Sequence, residues 1–300
     1  MTSHILLKNL IARHATNDGV QATAVPRLQL IRMSQPTEPL HAVHKPAVCI
    51  LVQGRKRVSL CDKVVEYGAG SHLIVSLELP VVGHVIDATE DEPYLCLRLE
   101  LDLATLGHLV LEIDEELSLS SPACTALGVG DTPQPLADAA ARLVGLLDRP
   151  KDIPFLAPLI EREILYLLLR GDHAGLIHRM LTPNHRMQNV NRAISWIRAN
   201  FHLPFSMEQL ASEARMSASS LHEHFRTMTN MSPLQYQKQL RLQEARRLIL
   251  TEAMDAATAG RRVGYDSPSQ FSREYRRQYG APPVSDISRL KVRPERFAEA

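Results

Sequence analysis

Gln270 and Arg273 stand three residues apart in the run Ser267-Pro268-Ser269-Gln270-Phe271-Ser272-Arg273-Glu274-Tyr275-Arg276-Arg277, where polar groups interleave with aromatic rings. A guanidinium pairs bidentately with guanine O6 and N7, and a carboxamide pairs with adenine N6 and N7. The run is the second copy of a pattern. Ser217-x-Ser219-x-Leu221-x-x-x-Phe225-Arg226, six further residues and Pro233 recur as Ser267-x-Ser269-x-Phe271-x-x-x-Tyr275-Arg276, six residues and Pro283. Side chains four apart share a helix face, so Leu221 with Phe225 and Phe271 with Tyr275 point inward. Ser219, His222 and Glu223 in the first copy, and Ser269, Gln270 and Arg273 in the second, are then predicted to face base edges. Arg226, Arg276 and Arg277 are predicted phosphate contacts, which position a protein on a duplex without specifying sequence. Glu223 has two readings: it accepts from cytosine N4, or it pairs with Arg226 three residues on, the pair being slightly favoured.

Presenting these side chains takes a helix, a tight turn and a second helix in each copy. Ser206-Met207-Glu208-Gln209 has the capping-box pattern, and Leu210 and Ala211 give the first short helix its apolar side. Ala211 and Ala214 are small where two helices approach; Gly260 and Val263 correspond to them, the second copy being one residue longer in its turn. Val263-Gly264-Tyr265 supplies that turn. Ser217 and Ser267 are expected caps, with Pro268 at the first helical position. Ser232-Pro233 opens a long helix to about Leu250, with Leu242, Ala245, Leu248 and Ile249 buried and Lys238, Arg241, Arg246 and Arg247 expected in solvent. A rigid helix between two recognition helices sets their separation, and successive major grooves lie about 34 Å apart.

The charge distribution agrees with this division of labour. The chain of 300 residues has a net charge of +1, but residues 183–300 carry 18 Lys and Arg against 11 Asp and Glu, a net +7, while residues 1–182 carry −6. One basic half joined to an acidic half suggests that only the former meets a polyanion. No stretch of about 18 apolar residues free of charge exists, so no spanning helix and no membrane partner are expected. Met1–Ala15 is amphipathic without an uninterrupted apolar core and does not read as a secretion signal. The cytoplasm is the expected location.

Upstream of the repeat, strands are expected over about residues 27–112. Pro93–Asp102 alternates, with Leu95, Leu97, Leu99 and Leu101 on one face and Cys96, Arg98, Glu100 and Asp102 on the other. Ala47–Gln53, Lys56–Leu60, Lys63–Tyr67, His72–Leu77 and Val81–Ile86 continue the series, and Cys61-Asp62 reads as a hairpin turn. Such spacing argues for a small β-sandwich or barrel. Helices are expected over about residues 134–178, including Leu136–Leu147 and the very apolar Pro158–Leu169. That second helix is buried either in its own domain or against a second chain.

Other reactive residue types offer less. His41, His44, His72 and His84 lack metal-ligand spacing and are expected to be ordinary partly buried or surface histidines, with no metal and no cofactor. The cysteines at 49, 61, 96 and 124 show no Cys-x-x-Cys pair. Cys61, beside Lys63 and near Arg57, is a minor candidate for a thiol of lowered pKa; Cys49 and Cys96 read as core packing. No catalytic residues are assigned.

Residues 190–291 resemble the DNA-binding domain of the AraC/XylS family of bacterial regulators, most specifically through Val263-Gly264-Tyr265-Asp266-Ser267-Pro268-Ser269-Gln270-Phe271-Ser272-Arg273. Ala259-Gly260 departs from the family, which more often has a larger aliphatic residue followed by Ala, and is expected to loosen packing there. Gln53-Gly54-Arg55-Lys56-Arg57 is similar to the cupin-type sensor of one branch of these regulators. The resemblance implies an α+β multidomain chain: a cupin-like β-barrel with trailing helices at 1–178 for effector binding and dimerisation, a linker at 179–188, an all-α domain of two helix-turn-helix units at 189–291, and a tail at 292–300. It implies a sequence-specific transcription regulator that binds double-stranded DNA, a small-molecule effector of unassigned contacts, a homodimer, and RNA polymerase as a partner if the protein activates. The competing reading, a cupin-like metal-dependent enzyme with a DNA-tethering tail, requires a metal triad or an acid–base pair that residues 20–115 do not supply.

Overall fold

The computed structural model describes residues 3–60, 63–113, 126–181 and 185–292. The chain opens with helix α1 (Ser3–His14), which buries Leu7 and Ile11. Nine strands follow: β1 (Gly19–Ala22), β2 (Leu28–Met33), β3 (Leu40–His44), β4 (Ala47–Gln53), β5 (Arg55–Leu60), β6 (Lys63–Gly68), β7 (Ser71–Val75), β8 (Leu79–Asp87) and β9 (Tyr94–Glu100). Helix α2 (Leu103–Glu112) precedes a further strand, β10 (Leu127–Asp131). The strands make two antiparallel sheets, in the orders β1-β2-β9-β4-β7-β10 and β3-β8-β5-β6. Inward-facing residues of both, among them Cys49, Leu51, Val58, Leu60, Tyr67, Val85, Tyr94 and Cys96, share one core.

β9 shows how the alternation is used. Leu95, Leu97 and Leu99 pack outward against a second core built with α1 and the helices after β10, whereas Tyr94 and Cys96 point between the sheets. Both faces of the strand are covered, so its polar alternation marks the inside of the β domain, not solvent. The expected strand region also needs correction at both ends. Leu103–Glu112 is helical, because Asp102 accepts from the Ala104 and Thr105 backbone N–H groups and so caps a helix. Conversely β1 and β10 lie outside 27–112, as the two edges of the six-stranded sheet. Leu60 pairs with Lys63 across the β5–β6 hairpin; Cys61 and Asp62 themselves, and Cys124, lie outside the described residues.

Helices α3 (Gln134–Gly145) and α4 (Ile153–Arg170) cover the outer face of the larger sheet. α4 starts five residues before the expected Pro158, which sits within it. Its two faces answer different needs. Ile160, Ile164, Leu165, Leu168 and Leu169 are buried in the domain's own core, while Phe155, Leu159 and Tyr166 are 75%, 63% and 41% exposed on the other side. α5 (Ala174–Leu181) and α6 (His185–Asn200) enter the segment 179–188 from both ends. No helix among the described residues is long and apolar enough to cross a membrane.

The C-terminal part continues with α7 (Met207–Glu213), α8 (Ala218–Thr229), α9 (Pro233–Thr251), α10 (Ala256–Arg262), α11 (Pro268–Tyr279) and α12 (Pro283–Val292). α9 begins with a full capping box between Ser232 and Gln235 and buries Leu242, Ala245, Leu248 and Ile249. At Ser206 only half of the expected box forms: its hydroxyl accepts from the Gln209 N–H. The polar face of α9 departs from expectation. Arg246 is only 12% exposed and binds Asp286 of α12 through Nε and an Nη at 2.9 and 3.1 Å, and the Tyr275 hydroxyl donates to the same carboxylate at 2.9 Å. Arg241 is likewise drawn into the fold. These two guanidinium groups meet acceptors that lie far away in sequence, which the helical pattern of α9 does not contain.

Asp286→Ala leaves the Arg246 guanidinium buried opposite an apolar side chain. Breaking a buried pair from one side costs about 3–5 kcal/mol, so denaturant unfolding of this variant is expected to show a loss of that size. A loss below about 1 kcal/mol, the range of an exposed pair, would contradict the placement.

Candidate nucleic-acid interface

Each half of the C-terminal part is a short helix, a turn and a recognition helix. α7 and α8 form the first unit, α10 and α11 the second. Ser217 caps α8 by accepting from the Ser220 N–H, and Ser267 caps α11 by accepting from the Gln270 N–H. The helices end at Asn230 and Gly280, both in the left-handed region at φ 59° and 76°. Leu221 and Phe225, and Phe271 and Tyr275, are buried, as their spacing requires.

That burial turns the opposite faces outward. Ser219, His222, Glu223 and Arg226 are exposed on α8; Ser269, Gln270, Arg273, Arg276 and Arg277 are exposed on α11. Among the described residues no ion pair or side-chain hydrogen bond engages Arg226, Arg273, Arg276 or Arg277, in contrast to Arg241 and Arg246. The favoured Glu223–Arg226 pair is not formed; the carbonyl of Glu223 accepts from Thr227, and its carboxylate is left to solvent. Gln270 reaches Glu274 at 3.5 Å, and Glu274 in turn takes the Tyr265 hydroxyl at 2.9 Å and Lys238 at 3.3 Å.

The turn of the second unit is built around glycine. Gly264 has φ 94°, and a Cβ there would lie 2.1 Å from the carbonyl oxygen of His202. Arg215, in the equivalent place of the first unit, holds φ 55°. Gly260 was expected to loosen the packing of α10. Instead the Phe271 ring fills the space: a Cβ at Gly260 would sit 3.0 Å from it, so the small residue is what lets the ring approach. Arg241 of α9 ties the units together, donating through Nε to Phe201 O at 2.6 Å, through Nη1 to Gly264 O at 2.8 Å and through Nη2 to Leu203 O at 3.1 Å.

The β domain rests on this assembly. The Tyr236 hydroxyl donates to Glu78 O at 3.0 Å, and Arg198 pairs with the Glu78 carboxylate. His41 of β3 lies 3.0 Å from Gln278 Nε2 and packs edge-on against Tyr279 near the end of α11. Burial pushes its imidazole down to about 4. A cleft of about 410 Å³ opens beside these contacts, between β3 and α9.

Between the sheets lies a cluster that sequence reasoning missed. Lys56 is 2% exposed, with Nζ 5.9 Å from the centre of the Tyr94 ring. Tyr67 and Tyr94 hydroxyls and His44 Nδ1 are buried without a hydrogen-bond partner. The adjoining Cys96 thiol lowers Cys49 against the effect of burial, with Lys56 and Arg98 assisting. Burial lowers Lys56 and His44 and raises both tyrosines. The signal was present in phase: Lys56, Val58 and Leu60 alternate on one face of β5. The four histidines considered as ligands are not brought together. His41 meets the recognition helix, His44 the interior and His72 the outer sheet face, while His84 is part-exposed on β8. Among the described residues no group of three or more His, Cys, Asp or Glu is arranged to hold a metal ion.

A double-sheet sensor domain joined to paired helix-turn-helix units defines a class of two-domain regulator. Residues 24–176 match the AraC-type transcriptional regulator N-terminus and residues 210–286 match a helix-turn-helix domain. The chain belongs to the family of AraC-type transcriptional regulators. It is 26% identical over 153 residues to the HTH-type transcriptional activator RhaS of Salmonella schwarzengrund, covering 50% of this chain and 54% of that one. The chain thus spans about half the length of the curated relatives it matches. The fold is similar to ToxT of Vibrio cholerae. An apo lysine-to-alanine variant aligns with a TM-score of 0.59 at 8% identity, over 89% of this chain and 99% of that chain. ToxT with bound unsaturated fatty acid gives 0.54 at 10% identity, over 90% and 95%.

Gly264→Ala is expected to destabilise the protein by more than about 1 kcal/mol, since alanine is disfavoured at positive φ and its Cβ displaces the His202 backbone. Thermal unfolding measures the loss. An unchanged melting temperature would show that the turn has room to relax.

Proposed function

We propose that this chain is a sequence-specific DNA-binding transcription regulator, in which α8 and α11 enter neighbouring major-groove segments and a small molecule taken up by the β domain sets the response. The observation that carries this reading is the pair of outward polar helix faces with Arg226, Arg273, Arg276 and Arg277 unengaged among the described residues. The net +7 of residues 183–300 supports it, because cations without internal partners are free to release phosphate counterions. In this reading Ser219, His222, Glu223, Ser269, Gln270 and Arg273 face bases and the other three arginines hold phosphates. The unsatisfied groups around Lys56 support effector uptake between the sheets, since buried polar atoms require a partner. The sensor occupies residues 1–178 and the reader 189–291, and the protein works on DNA in the cytoplasm, with RNA polymerase as a further partner where it activates.

Arg273→Ala is expected to cost about 1–3 kcal/mol on the preferred operator and to relax preference at one base pair; Arg277→Ala should weaken all sequences alike and lower the slope of log affinity against log salt by about one. Binding assays on a base-substituted operator set over a salt series separate the two. Uniform losses from both variants would remove Arg273 as a base reader, and a salt-independent wild type would remove the DNA reading itself.

The same reading includes a homodimer formed through the exposed stripe Phe155, Leu159 and Tyr166 of α4. Each apolar side chain of this size gains about 1.5–3 kcal/mol on full burial. Leu168, by contrast, is 3% exposed in the domain's own core and is unsuited to test the contact. Leu159→Glu is expected to yield a folded monomer, with sedimentation giving the mass and circular dichroism the fold. A wild-type chain that sediments as a monomer at micromolar concentration would end the dimer proposal.

A further inference from the structure

A second polar site lies on the opposite face of the six-stranded sheet from Lys56. β10 contributes Gly128 and Gly130 where its neighbours in the sheet carry side chains. A Cβ at Gly128 would lie 2.8 Å from His173 Nδ1, and one at Gly130 would lie 3.0 Å from His173 Nε2. The strand has thus been cleared so that the ring of His173, from the turn between α4 and α5, can lie against it. His72 of β7 meets that ring edge-on, with centroids 5.8 Å apart. His72 is 7% exposed. Its ring has the Asp131 backbone as a hydrogen-bond partner, yet its Nδ1 is buried with none, and so is Nε2 of His173.

Both imidazoles border a cavity of about 220 Å³ walled by Ile74, Leu136, Leu167 and Leu168. An apolar cavity of about 150 Å³ is large enough for benzene, so this one accommodates a single ring with a small substituent. Leaving polar atoms buried and unpaired is costly, and two imidazoles that carry such atoms line one apolar cavity, which favours an occupant with a polar head. Burial, with His173 beside it, holds His72 down to about 4, so at neutral pH it is uncharged. Asp131, Asp172 and Arg170 stand at the rim, exposed and of both signs, and select no strongly charged ligand.

We propose that this cavity binds a small neutral molecule made of an apolar ring and one hydroxyl group. A hydroxyl donates one hydrogen bond and accepts others, so it serves His72 Nδ1 and His173 Nε2 together when at least one of the two nitrogens carries its proton. The site stands independently of DNA binding, and its test uses no DNA.

The experiment compares benzyl alcohol with toluene, which share a carbon frame and differ by the hydroxyl, using ligand-observed NMR titrations of the 300-residue chain. Benzyl alcohol is expected to bind saturably and about 10-fold more tightly than toluene, the ratio that one net hydrogen bond confers. His72→Leu should erase the preference while keeping the apolar walls. Leu167→Trp should fill the cavity and weaken both ligands at least about 10-fold. Melting curves establish that each variant is folded, and the wild-type ratio is decisive even where a variant is not. Equal affinity for the two ligands, no saturable binding of either, or unaltered binding by folded Leu167→Trp would overturn the proposal; the first two results would mean that the imidazoles are served by water alone.

Discussion

The guanidinium of Arg241 is the interaction on which the C-terminal assembly turns. Its nitrogens reach carbonyl oxygens of Phe201 and Leu203 before the first unit and of Gly264 in the turn of the second. One side chain in the middle of α9 therefore sets the approach of the chain into one helix-turn-helix and the corner of the other. The bonds are charge-assisted and directed in a fixed fork, which transmits orientation as well as proximity. Gly264 must be glycine for the same reason, because the carbonyl of His202 comes too close for any Cβ. The relative setting of α8 and α11 follows from this joint and from the helix that carries it.

Cations in this protein divide sharply by what they touch. Arg246 is held by Asp286 and packs over the Tyr279 ring at 4.3 Å, and Gln237 binds Phe201 O and Leu203 O beside Arg241. These groups secure the scaffold. Arg226, Arg273, Arg276 and Arg277 stand at the surface with no partner among the described residues, and desolvating them against phosphate or guanine requires no internal contact to break. The β domain reaches the same scaffold through Glu78 and His41, the latter against residues near the end of α11. A change in the β domain thus has a physical route to a recognition helix, through contacts of a few side chains.

The β domain places polar groups where a purely structural sandwich would place apolar ones. Lys56, His44, Tyr67 and Tyr94 sit inside, the last three with polar atoms that lack a partner, and the cost of such burial is borne by an otherwise dense core around Leu51, Leu60, Val75 and Val85. On the outer face of the six-stranded sheet, His72 and His173 repeat the arrangement under α4. Unpaired polar atoms thus lie both between the sheets and on the outer face of the larger one.

Local spacing was sufficient for the repeat, the caps at Ser217 and Ser267, the inward pairs Leu221–Phe225 and Phe271–Tyr275, and hence for the outward polar faces, because helical periodicity alone dictates which side chains share a side. It was sufficient for most strands, since apolar alternation is a local property. It did not distinguish Arg241 and Arg246 from Arg247 on the same helix, for their acceptors at Gly264 and Asp286 come from turns and helices brought near by packing. It placed Cys49 and Cys96 in a core without revealing that they adjoin each other and Lys56, because strand pairing and sheet stacking are long-range. It read α4 as wholly interior or wholly interfacial, whereas an eighteen-residue helix has circumference enough to be buried on one face and bare on the other. Which side chains a helix or strand offers is a local matter; which of them find partners depends on the elements that the fold lays against it.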